Sequence, residues 1–257
     1  MRKFKNDDIF LIEKYRDKYA REGSLKQFCK LYSNKIVGIP NRNTGRLWDK
    51  LNEKTKTDLE RSPIYENKIN IVTKLLYQKQ GNLLDIGFGN GFVEKKLCKV
   101  DLKLFGIDIS KKSTSNLDKE IKGVFKIGTV LRIPFRSNYF DFVLLLDVLE
   151  HISANKTFRA LSEVNRVLKM GGYLIISVPL NEGLRRLVES GNNPSMHVRQ
   201  YTREILKFEL NLFNFDIRKE YLLYAFDRHY WVKTLFTKIF LRAFRNPNLY
   251  IVFAQKR

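Results

Sequence analysis

Three glycines behind an acid are the first residues of this chain whose spacing can do chemistry. In LLDIGFGNGF, Asp85 ends an apolar run, and Gly87, Gly89 and Gly91 follow at alternate positions before the helical pattern FVEKKLCK. Glycine lets a chain turn tightly and lets a ligand approach its backbone, and the N–H groups that open a helix are unsatisfied donors. A dinucleotide fingerprint, G-x-G-x-x-G, needs a third glycine where this chain has Phe92. An acid two residues before the first glycine also repels a pyrophosphate and suits a ligand with a cationic amino end.

A second acid, Asp108 in FGIDIS, lies 21 residues beyond Gly87. At the tip of a second strand a carboxylate can accept both hydroxyls of a ribose. An isolated Asp there would more simply cap the next helix, but the glycine turn at this spacing favours the ribose. Further on, His151 in LEHI and His197 with Arg199 in MHVRQYT offer two imidazoles and a guanidinium. They are the candidate catalytic residues, as proton acceptors and an anion clamp; the plainer alternatives are a structural hydrogen bond for His151 and loop order for the other two. No metal site is expected.

These residues must be positioned by elements, and the periodicity supplies them. The runs NLLDI, LKLFGID, GVFKIG, FDFVLLLD and YLIISV read as buried strands, separated by helical patterns or crossover loops, the last helix running from about Asn155 to Leu168. That alternation predicts a doubly wound, mostly parallel α/β sheet with ligands at the strands' carboxyl ends. Residues 1–80 have helical spacing broken by GIPNRNTG and read as an N-terminal helical cap, and 81–257 as the main domain. After Phe215, FDIRKEYLLY and NLYIVFAQ read as a β pair able to add antiparallel at one sheet edge. Between them, near 231–245, Val232, Leu235, Phe236, Ile239, Phe240 and Ala243 make an apolar stripe opposite Lys233, Thr234, Thr237, Lys238, Arg242 and Arg245. This insert is too short to span a bilayer: it either lies on an anionic membrane or packs on the sheet edge or another subunit.

With these motifs in order, residues 81–180 resemble the class I S-adenosylmethionine-dependent methyltransferases of the type 11 kind. GTVLRIPFRSNYFDFVLLLDVLEHI resembles the family's third and fourth strands, EVNRVLKMGGYLIISVP its later helix, glycine turn and fifth strand. The resemblance implies a Rossmann-like seven-stranded sheet with a C-terminal antiparallel strand, and S-adenosylmethionine as cofactor. It implies that Asp85 serves the methionine amino group, that Gly87, Gly89 and Gly91 form the cofactor turn, and that Asp108 holds the ribose. Ile109 would pack on the adenine, the Val130 backbone would bond the ring, and Asp147 would lie beside the methionyl end. Where the family usually has an acid in the adenine turn this chain has Thr129, whose hydroxyl can still accept from the exocyclic amine.

Composition narrows the rest. Only Cys29 and Cys98 occur, each within a helical-looking pattern and expected to be buried, which excludes a disulfide scaffold and a Cys-based zinc site. No apolar run reaches the ~20 residues of a membrane span, so the chain reads as cytoplasmic, peripheral to a membrane if the insert lies on one rather than packing. A net charge of +21 is concentrated at the two ends, with no acid after Asp227. It suits an anionic membrane, an anionic substrate or RNA. The expected function is methyl transfer to a small-molecule or lipid-like acceptor. The alternatives are an RNA methyltransferase, which has charge but no base-amine motif in its favour, and a non-catalytic methyltransferase-like binding protein.

Overall fold

Leu83 and Leu84 are neighbours in sequence and both fully buried, yet they belong to opposite hydrophobic cores. That is the two-residue period of a strand covered on both faces, and it recurs at Leu144 and Leu145 and at Ile175 and Ile176. The computed structural model describes residues 43–98, 100–226, 230–239 and 246–257, with backbone alone at 154–155 and 236–239.

In chain order the elements are α1 (Gly45–Glu60), α2 (Pro63–Leu76), β1 (Gly81–Ile86), α3 (Phe92–Leu97), β2 (Leu102–Asp108), α4 (Lys111–Glu120), β3 (Val124–Ile127) and β4 (Phe140–Leu146). A 3-10 turn (Leu149–His151) follows, then α5 (Ala154–Val167), β5 (Leu168–Pro179), α6 (Leu184–Glu189), α7 (Arg203–Leu212), β6 (Phe215–Leu223), α8 (Tyr230–Ile239) and β7 (Leu249–Lys256). Side-chain oxygens start three of the helices, as Thr44, Ser110 and Thr202 accept from the backbone N–H three residues on, and Pro63 opens α2.

The seven strands form one sheet in the order β3-β2-β1-β4-β5-β7-β6. Strands β1 to β5 pair in parallel, and β7 runs antiparallel to both β5 and β6. The expected C-terminal pair is therefore an insertion in which the last strand slips between β5 and β6. Its alternate residues, Tyr250, Val252 and Ala254 against Ile251 and Phe253, feed the two cores. One core packs α5 and α7 on the sheet, through Phe158, Leu161, Leu206 and Leu210. The other packs α2, α3 and α4, through Val72, Leu76, Val93, Leu97 and Leu117. Strand order reverses between β1 and β4, which opens a crevice at their carboxyl ends.

Two expectations change. Cys98 is exposed: it follows the last residue of α3, and its thiol donates to the Lys95 carbonyl at 3.1 Å. In the C-terminal insert, α8 turns Tyr230 and Thr234 inward, with Tyr230 accepting from Asn67 at 2.9 Å, while Trp231, Val232 and Leu235 are exposed. The stripe's continuation, from Phe240 through Ala243 with Arg242 and Arg245, lies outside the described residues, as do Cys29 and residues 1–42 of the expected cap. No helix among the described residues is long and apolar enough to cross a membrane.

A buried ion pair joins the segment after α6 to α7. Arg199 donates to Glu209, to the Thr157 hydroxyl at 2.9 Å and to the Tyr201 hydroxyl at 2.6 Å, and Tyr201 donates to Glu209 at 3.1 Å. Removing one partner strands the other charge in the core. Glu209→Ala is therefore expected to cost about 3–5 kcal/mol in urea unfolding, and an Arg199→Leu, Glu209→Leu double variant to recover most of it. A loss within experimental error for Glu209→Ala would show that the pair does not hold the fold.

Candidate functional site

The carboxyl ends of β1, β2 and β4 converge on a cavity of about 260 Å³. Gly87 and Gly89, Asp108 and Ile109, Thr129 and Val130, Asp147 and His151 all line it. Asp108 is at its centre of organisation. One carboxylate oxygen accepts from Gly89 N–H at 2.9 Å, the other from Ser110 N–H at 2.7 Å. Burial pushes its carboxyl above the usual range against the pull of these two bonds. Gly89 has φ +54°, and the nearest atom to the place of a Cβ there is 3.9 Å away, so the turn presents bare backbone to the cavity. The Thr129 hydroxyl accepts from Leu131 N–H at 3.3 Å and so helps to close its own turn.

Helix α1 covers one side. Trp48 donates to Asn43 at 3.1 Å, Asn43 donates to the Met196 carbonyl at 3.1 Å, and the Trp48 ring meets His151 edge-on at 4.8 Å. Asp49 accepts from the Ser110 hydroxyl at 2.6 Å and Lys112 N–H at 3.0 Å, and Asn52 donates to Ser113 at 2.9 Å. A Cβ on Gly45 would stand 2.2 Å from the Ile109 carbonyl oxygen, so only glycine permits this approach.

At the cavity wall Asp147, a third exposed, meets a buried ammonium. Lys68 pairs with Asp147 and lies 4.1 Å from the Tyr65 ring centroid. Burial disfavours both ions, but each outweighs it for the other: the Asp147 carboxyl is held below its usual range and the Lys68 ammonium above. Asp85 does not reach the cavity wall. It is buried under the glycine turn with Glu94, and burial followed by the neighbouring carboxyl raises it well above the ordinary range. Burial raises Glu94 too. Such a pair holds a proton between its members rather than two charges.

His151 lines the cavity, but burial, then the His197 ring, push its pKa down to about 3, which makes it a weak proton acceptor at neutral pH. His197 is buried beside it, ring centroids 4.7 Å apart, with Nδ1 2.6 Å from Glu182. Arg199 does not clamp an anion in the cavity; its guanidinium serves the Glu209 pair described above. Sequence reasoning missed Lys68, Glu94, Glu150, Trp48 and Asn43. Helical spacing of Ile69, Val72 and Leu76 marked α2 as packed, yet nothing in it distinguished Lys68 from a solvated lysine.

The Asp85–Glu94 pair has a pH signature. Raised native pKa values mean that the folded state binds protons more tightly than the unfolded chain. Stability from this pair is then full below the unfolded carboxyl pKa and is lost as pH rises through the native one. Glu94→Gln should flatten that decline, so that its melting temperature gains on wild type between mildly acidic and mildly alkaline buffer. Parallel curves would refute the shared proton.

Residues 84–176 match the family model for the methyltransferase domain. An uncharacterized protein of Methanocaldococcus jannaschii is 32% identical over 121 residues, 47% of this chain and 51% of that protein. The ubiquinone biosynthesis O-methyltransferase of Pelagibacter ubique is 28% identical over 115 residues, 43% of this chain and 46% of that protein. The chain thus spans about half the length of the curated relatives it matches. Among solved structures, N-methyltransferase NodS from Bradyrhizobium japonicum, in complex with S-adenosyl-L-homocysteine, shares the fold with a TM-score of 0.63 at 14% identity, covering 83% of this chain and 98% of that one. Together with the sheet order and the glycine turn, the match marks residues 84–176 as similar to the methyltransferase domain family, on a fold that NodS shares.

Proposed function

We propose that the chain is an enzyme that binds S-adenosylmethionine in the β1–β2–β4 cavity and transfers its methyl group to a small-molecule or lipid-like acceptor. The observation that carries this reading is the Asp108 carboxylate, held by Gly89 and Ser110 at the cavity wall. Each of its oxygens spends one lone pair on a backbone N–H and keeps another for a ribose hydroxyl. Ile109 and Val130 offer apolar surface for an adenine, and the open side of Gly89 leaves room for close approach. Asp147, kept ionised by Lys68, puts negative charge on the opposite wall, where a cationic amino acid portion is favoured. The unpartnered Asp85 oxygen beneath the turn suits an indirect contact with the same amino group, relayed through the turn or a water.

When bound, this cofactor supplies an electrophilic methyl, so the protein's part is mainly to align an acceptor and exclude water. With its depressed basicity, His151 suits positioning better than proton removal. The acceptor reading rests on the lack of a base-amine motif after β4, where the chain reads DVLE.

Asp108→Ala is expected to weaken S-adenosylmethionine binding by roughly 2–4 kcal/mol in calorimetry, since it removes a pair of charge-assisted hydrogen bonds. Unchanged affinity would overturn the ribose assignment. Turnover is read separately, by incubating the protein and labelled methyl donor with cell extract and fractionating the products. Label in small or lipid-soluble species supports the acceptor reading, and label confined to RNA overturns it.

A further inference from the structure

Beside the cavity, between the 3-10 turn and the segment after α6, stands a cluster that cofactor binding leaves unused. Glu150 is fully buried, and neither of its carboxylate oxygens has a hydrogen-bond partner. A buried carboxyl in that state is costly unless it keeps a proton or something of opposite charge meets it, and burial does raise the Glu150 carboxyl well above its usual range. Around it stand His151 and His197, and one donor atom from each of the three residues lies within 4.8 Å of the others. The Glu150 carbonyl accepts from Val198 N–H at 2.9 Å and Arg199 N–H at 3.2 Å, which fixes the His197 segment against the turn.

Both rings are oriented as ligands are. Nδ1 of His197 is 2.6 Å from the Glu182 carboxylate, and its Nε2 is on the Glu150 side, 4.0 Å from the carboxylate. Nδ1 of His151 faces the Met196 carbonyl at 3.5 Å; in the tautomer that donates there, the ring's lone pair is on Nε2. A carboxylate or carbonyl on one nitrogen of each imidazole is the outer support that metal-binding histidines usually have. In a tetrahedral set, bonds of ~2.0–2.2 Å place ligand atoms roughly 3.3–3.6 Å apart, so side-chain rotations that draw the three atoms together by about 1.2–1.5 Å close the set.

We propose that Glu150, His151 and His197 form a binding site for one divalent transition-metal ion, supported by Glu182 and the Met196 carbonyl. Two imidazoles and a carboxylate suit zinc or iron(II), and three protein ligands leave a position for water or for an oxygen-bearing ligand. Because His151 also lines the cavity, that ligand can come from the acceptor side. The site does not depend on methyl transfer being the activity.

The test uses the full chain, freed of metal by chelation and dialysis, and Zn2+ alone as probe. Calorimetry should show one equivalent bound, and Co2+ in its place should give the visible bands of a nitrogen-ligated ion. Glu150→Gln and His197→Gln should each lose at least tenfold in Zn2+ affinity, and Glu182→Gln about 10–100-fold. No stoichiometric binding by wild type, or Glu150→Gln binding as tightly, overturns the site. If the variants fail to fold, the wild-type Co2+ spectrum decides: a spectrum of the hydrated ion alone overturns it. S-adenosylmethionine affinity, measured without metal, reports separately on the methyltransferase reading.

Discussion

One buried carboxylate ties the site together. Asp108 ends β2, accepts from the glycine turn that leaves β1, and accepts again from Ser110, the residue whose hydroxyl caps α4 and donates to Asp49 on α1. Four elements thus meet on a single side chain and its neighbour. Charge-assisted bonds of this kind are stronger than neutral ones, and they offset part of the cost of placing the carboxyl where water scarcely reaches. The crevice produced by the reversal of strand order would exist without Asp108. Its wall would have no fixed shape at the point where polar recognition is needed.

The charges in and behind that wall divide by partner. Asp147 has an ammonium and remains ionised, Asp85 and Glu94 have each other and hold a proton, and Glu209 has Arg199. Each arrangement satisfies the rule that a charge leaves water only when paired or neutralised. Glu150 is raised well above the usual carboxyl range in the same way, by burial and then by Asp147, but has two imidazoles rather than a second acid beside it.

The fold was legible because its signals are local. Five apolar runs of strand length needed no tertiary information, although the outermost, β3, turns Val124 and Ile127 to solvent. The glycine turn and Asp108 were legible for the same reason, being short motifs at the ends of those runs. What the sequence concealed depends on distance in the chain: Lys68 meets Asp147 across 79 residues, and Trp48 meets His151 across the fold. Arg199 misled because an arginine in a loop reads as exposed, whereas its true partner, Glu209, lies on the inward side of α7. The order of the last two strands was equally hidden, since a terminal strand can pair at an edge or between neighbours with the same alternation.

Helix α1 supplies Trp48 to the cavity, but none of its residues is fully buried. What fastens it, among the described residues, is polar: Asp49 accepts from Ser110 and Lys112, Asn52 donates to Ser113 and accepts from Asn90, Glu53 pairs with Lys112, and Asn43 just before it donates to Met196, with Gly45 allowing the contact. Hydrogen bonds exchanged for water return little free energy, whereas the sheet beneath is secured by apolar area. The two parts of the molecule therefore stand at different heights on the scale of local opening. Amide hydrogens of α1 belong with the fast-exchanging class and those of β1 and β4 with the slowest, and the side of the cavity that Trp48 covers is the one that opens without loosening the sheet.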